Sequence, residues 1–166
     1  MDAVKLIRYT HVARHRYLKT IQDLRWEEVV EDRGTSFPSI KDIFMHTLDM
    51  EDRLVNYVIP GRAEQWAQQG WEKFNDLKSM VERVDEVEKK VDAYVEGITE
   101  QELKRKVHLP RRNNPPVIMT VEDVFLQVTI EAASHMGEFI AIMWQMDVQP
   151  PYLNWASFLE QTPNLP

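Results

Sequence analysis

Four long stretches of this chain repeat apolar or small residues at alternating spacings of three and four, the period of helices that each bury one face. The first runs from Asp2 to about Val30 without proline or glycine, and its stripe is Leu6, Thr10, Ala13, Tyr17, Ile21 and Leu24. The second follows the break Arg33-Gly34-Thr35-Ser36-Phe37-Pro38; Ser39 caps it with Asp42 at the capping-box position, and it should reach about Tyr57. Its stripe is Ile43, Thr47, Met50 and Leu54, with His46 on the margin. The third opens on an Asn75 cap and carries Leu77, Met80, Val84, Val87, Val91, Tyr94 and Ile98, the strictest periodicity of the four. The fourth, from a Thr120 and Asp123 capping box to Met146, should be about seven turns long.

The connections carry their own signals. Pro60-Gly61 ends the second helix, and Trp66 and Trp71 in the polar loop from Arg62 to Phe74 need a surface to cover, either a pocket wall or the end of the bundle. Residues 99–119 hold two β-compatible runs, Lys106 to Leu109 and Val117 to Met119, which fit a small hairpin or an extended crossover. Pro150-Pro151 stops the fourth helix and starts a tail that Tyr152, Leu153, Trp155 and Phe158 would pin. The pattern predicts an all-α fold: a four-helix bundle with a long crossover between helices three and four and an extended C-terminal tail, with residues 1–166 as a single domain.

Polar residues interrupt this pattern at one place above all. On the fourth helix one face reads Val121, Val124, Val128, Glu131, His135, Glu138, Ile142, so a carboxylate and an imidazole stand where the helix should be apolar. A buried carboxylate costs several kcal/mol unless it is paired. Glu131 and His135 lie one turn apart, a spacing that suits two ligands of one metal ion and equally a Glu131 salt bridge beside a hydrogen-bonded core histidine. On the second helix Asp49 and Arg53 follow His46 at one and two turns, placed to orient its ring, while Glu51 and Asp52 have the look of a charged outer face. His11 and His15 are also one turn apart, but Arg14 and Arg16 flank them and oppose a cation, so a solvated or hydrogen-bonded pair is expected there.

Composition narrows the partners. A net charge of −7 argues against nucleic acid and against anionic membranes, although Lys104, Arg105, Lys106, Arg111 and Arg112 form a local basic loop that would greet an anion. The absence of cysteine restricts any metal to His, Asp and Glu ligands. The start MDAVKLIRYTHV lacks the apolar core of a signal peptide, and the apolar run Phe139 to Trp144 is too short to span a bilayer, which predicts a cytoplasmic protein.

Two segments, SIKDIFMHTLDMEDRLVNYV in the second helix and EAASHMGEFIAIMWQMDVQPPYL at the end of the fourth, resemble the DinB/YfiT-like family of four-helix-bundle proteins. The likeness spans almost the whole chain. The second segment is similar to the family's H-x-x-x-H-R-G-Q helix and the Pro-Pro-Tyr-Leu close that follows it. In that family one histidine of the second helix and two of the last bind a divalent metal. The resemblance therefore implies His46, Glu131 and His135 as metal ligands, with Glu131 standing where the family has histidine. Met136 and Glu138 replace the motif's arginine and glutamine, and Gly137 is kept.

Two imidazoles and a carboxylate serve zinc in hydrolases and non-haem iron in oxygenases, so the ion implied is zinc, nickel, manganese or iron. Family resemblance further implies thiol-dependent chemistry, that of a transferase or isomerase using a low-molecular-weight thiol, in a homodimer, with the transferase the leading expectation; the open ligand set would also serve a hydrolase using metal-bound water. The competing expectation is a non-catalytic stress or interaction protein in which Glu131 pairs with Arg53 or another cation.

Overall fold

A computed structural model describes residues 3–162, so the expected helix start at Asp2 and the last residues of the tail lie outside the described part. Four long helices form the bundle: α1 (Ala3–Ile21), α3 (Ile40–Arg53), α4 (Leu77–Val95) and α6 (Val121–Gln145). The α6 helix packs against both α1 and α3, and α4 packs against the same two helices. The core contains Ile43, Met80, Val84, Val87, Val124 and Ile142 of the predicted stripes and also Phe125, all with negligible exposure, but Ile7 and Leu48, outside those stripes, are fully buried while the predicted Leu6 and Met50 are only half-buried.

The first predicted helix is divided. After Ile21 the chain turns, and Arg25 in an extended conformation starts a short helix α2 (Trp26–Val30). The Glu28 carboxylate accepts from the Arg25 backbone N–H at 2.9 Å, and this local cap wins over continuation of α1. Asp76, not Asn75, caps α4, its side chain accepting from Ser79 N at 2.7 Å. That helix ends at Val95 rather than Ile98 because Gly97 takes φ +73°, a conformation open to glycine. Ile98 still packs against the core.

The second helix runs as expected into a π-helical turn, Leu54–Val58, whose wider winding is seen in the Ile59 N to Leu54 O bond of 3.1 Å. The crossover holds a short helix α5 (Glu100–Leu103) and an antiparallel hairpin of β1 (Lys106–Arg111) and β2 (Asn114–Thr120), paired from Lys106↔Thr120 to Arg111↔Asn114 with an irregularity at Pro110. Beyond α6 the chain lacks regular structure over 148–154 and then forms α7 (Trp155–Gln161). Phe158 is fully buried and Trp155 meets Tyr9 edge-on, but Tyr152 is 75% exposed and pins nothing through its ring.

Thr120 and Asp123 form the capping box that fixes the start of α6: Thr120 Oγ1 accepts from Asp123 N at 3.1 Å, and Asp123 Oδ2 accepts from Thr120 N at 2.8 Å. Thr120→Ala is expected to remove about 1 kcal/mol of stability, read as a lower midpoint of urea unfolding at unchanged slope.

Candidate metal centre

His46 projects from α3 toward α6, where Glu131 and His135 lie one turn apart. Each offers a ligand atom, and these atoms lie within 4.8 Å of one another; all three residues are half-buried. The two imidazoles meet edge to face with ring centroids 4.9 Å apart. Among the described residues this is the one group of three that is arranged to hold a metal ion.

Each side chain is held from outside the group. His135 Nδ1 meets Glu138 Oε2 at 2.8 Å, and Ser36 Oγ donates to the same oxygen at 2.8 Å. Burial works against the charge on Glu138, but the hydrogen bonds from His135 and Ser36 hold its carboxyl below the ordinary value, so it accepts. The proton of a neutral His135 then sits on Nδ1, and the lone pair is on Nε2, which faces Glu131 Oε2 at 3.9 Å. Gln127 Nε2 donates to Glu131 Oε1 at 2.8 Å, which leaves Oε2 on the side of the histidine.

Phe37 stacks on His46 with centroids 4.0 Å apart and planes at 24°. Burial and the neighbouring His135 lower the pKa of His46, favouring the neutral form that can donate a lone pair, although Glu131 and Glu138 act in the other direction. A neutral nitrogen from each ring and one carboxylate oxygen fit a divalent cation of borderline softness.

A cleft of about 220 Å³ opens beside His46, walled by Asp49, Met50, Arg53, Trp66 and Trp71. Neither Asp49 nor Arg53 orients His46. Asp49 accepts instead from Trp71 Nε1 at 2.8 Å and lies 3.7 Å from Arg83, while Arg53 donates to the Pro110 carbonyl and sits 5.9 Å over the Trp66 ring. The ring of His46 is fixed by Phe37, a residue of the break before α3. Nor does Arg53 pair with Glu131, whose hydrogen-bond partner is Gln127.

The expected outer face of α3 is partly inside. Glu51 is 0% and Asp52 3% exposed. Glu51 accepts from buried Arg14 and meets His11 Nε2 at 2.5 Å; Arg14 also donates to Glu88 at 2.5 Å, and Glu88 meets His15 at 2.7 Å. Asp52 accepts from Arg83 at 2.7 Å and from Asn56 at 2.9 Å. The histidine pair of α1 is thus hydrogen-bonded to acids. In the basic loop, Lys104 and Arg105 pair with Glu100 and Glu102.

Residues 9–139 match the family model of the DinB superfamily. The fold is similar to the crystal structure of a DinB-like protein from Bacillus cereus ATCC 10987, with a TM-score of 0.65 at 12% identity over 92% of this chain and 95% of that one. Comparison with curated proteins gives no match.

Proposed function

Starting from the fact that the chain belongs to the DinB superfamily, we propose that His46, Glu131 and His135 hold one divalent metal ion and that the protein is a thiol-dependent transferase. The observation that carries this reading is the convergence of the three side chains from two helices beside an open cleft. Three protein ligands leave coordination positions for a small molecule, the pattern of catalytic rather than structural sites. When bound, the ion supplies a Lewis acid that favours the deprotonated form of a thiol, or of water in a hydrolytic variant of the chemistry.

The chain's own residues do the positioning. Glu138, itself fixed by Ser36, presents His135 Nε2; Gln127 turns one oxygen of Glu131 toward it; Phe37 holds the plane of His46. Trp66, Trp71 and Met50 line one side of the approach to His46.

A second reading has its own support. Glu131 and His135 find hydrogen-bond partners within α6, so the cluster can serve as a structural element of a non-catalytic protein. Protein purified without chelator separates the two. The transferase reading expects about one metal per chain by elemental analysis and conjugation of a small thiol to an electrophile. No thiol-dependent turnover with zinc, nickel, manganese or iron would sink it. Metal-free protein whose melting temperature ignores all four ions would favour the structural role.

A further inference from the structure

The cleft beside His46 is unusual in where its charges go. Asp49 has one oxygen on the Trp71 indole, and Arg83 stands 3.7 Å from the other. Burial raises the Asp49 carboxyl above its ordinary value, while its contacts with Trp71 and Arg83 act in the other direction. Arg53, one helical turn further on, meets no carboxylate among the described residues. Its guanidinium rests over Trp66 and makes a long 3.4 Å bond to the Pro110 carbonyl. The buried arginines Arg14 and Arg83, by contrast, each contact two or more acids.

A second donor is also unspent. The indole N–H of Trp66 is buried and has no hydrogen-bond partner, a condition native structures seldom tolerate without reason. Two donors without acidic partners thus belong to residues lining one cleft, where Met50 and Trp71 add soft or flat apolar walls and Asp49, beside Arg83, and Gln68 complete the lining.

We propose that this cleft binds a small carboxylate with a flat, single-ring body, its carboxylate on Arg53 and Trp66 and its ring against Trp71 and Met50. A guanidinium recognises a carboxylate through paired N–H donors, and the cavity of about 220 Å³ has room for one ring. The ligand's far end then lies toward His46. The proposal deepens the transferase reading by naming the class of its acceptor substrate, and it rests on that reading only for what happens at the far end.

The test uses the full chain and simple probes: benzoate, benzyl alcohol and benzylamine, with zinc-loaded and metal-free protein. The chain has five tryptophans, so its indole N–H region gives five nitrogen–proton NMR signals, of which Trp66→Phe and Trp71→Phe assign two. Benzoate should move the Trp66 and Trp71 signals and spare those of Trp26, Trp144 and Trp155. It should bind at least about tenfold more tightly than benzyl alcohol, and Arg53→Gln should erase that advantage, with Arg53→Lys intermediate.

Equal binding of the three probes, tighter binding of benzylamine, shifts spread over all five indoles, or an unchanged benzoate affinity in Arg53→Gln and Arg53→Lys would overturn the proposal. The backbone amide spectrum verifies that each variant is folded. Because the metal-free arm reads the cleft alone, benzoate binding there without any metal uptake by the protein would retain this inference and remove the metal reading. Metal uptake without benzoate binding would do the reverse.

Discussion

Arg14→Met is expected to destabilise the fold by about 3–5 kcal/mol, read as a large drop in the urea midpoint. Arg14 is buried between α1, α3 and α4 and donates to Glu51 and to Glu88, so its removal leaves two buried carboxylates short of their main cation. The value of the pair itself is much smaller than this loss, because desolvation of both partners offsets most of their attraction. Arg14→Met combined with Glu51→Leu should therefore recover a good part of the stability, since the orphaned charge in the core goes with its partner. A double variant as unstable as the single one would show that the destabilisation comes from lost packing of the arginine stem instead.

The same cluster makes stability depend on pH. Burial opposes a charge on His11, but Glu51 and Asp92, one at each ring nitrogen, outweigh it and raise the histidine above its ordinary 6.5. A group with a raised folded pKa stabilises fully below its unfolded value, and that contribution is lost as pH climbs through the folded value. Burial likewise opposes a charge on Glu51, while Arg14 and His11 lower it below its ordinary 4.5. That contribution is present above 4.5 and is lost on acidification. Stability from this cluster should thus peak between the two ordinary values and decline toward alkaline pH, a decline that His11→Gln removes.

Most of the fold was legible because the stripes of α3, α4 and α6 obey one period over many turns, and Ser39 and Thr120 announce their helices chemically. His46, Glu131 and His135 were legible through their intrusion into apolar faces and through the family pattern. The supporting residues were harder to see. Phe37 reaches His46 from a break in the chain, and no local period predicts a contact made by tertiary folding. The buried cluster did leave a trace: Arg14 occupies the core spacing of Ile7, Thr10, Tyr17 and Ile21, and Glu51 that of Phe44, Thr47, Leu54 and Val58. Its charged neighbours in the sequence disguised Glu51 as surface, although only reciprocal partners on other helices let such charges stay inside.

Glu131→Gln is expected to weaken metal binding on the order of 100-fold while leaving the metal-free bundle as stable as before, or slightly more so. The substitution keeps the shape of the side chain, and an amide oxygen at the same place still accepts from Gln127 Nε2, so little packing is disturbed. What disappears is the negative charge beside two imidazoles, the component of the ligand set that attracts a divalent cation most strongly. Glu131→His keeps three donors and should bind far better than Glu131→Gln, whereas Glu131→Ala should resemble the latter. Calorimetric titration with zinc and nickel, paired with unfolding of chelator-treated protein, reads both properties on the same samples. If Glu131→Gln binds as tightly as the parent chain, Glu131 is no ligand, and the polar cluster of α6 serves the bundle rather than a metal.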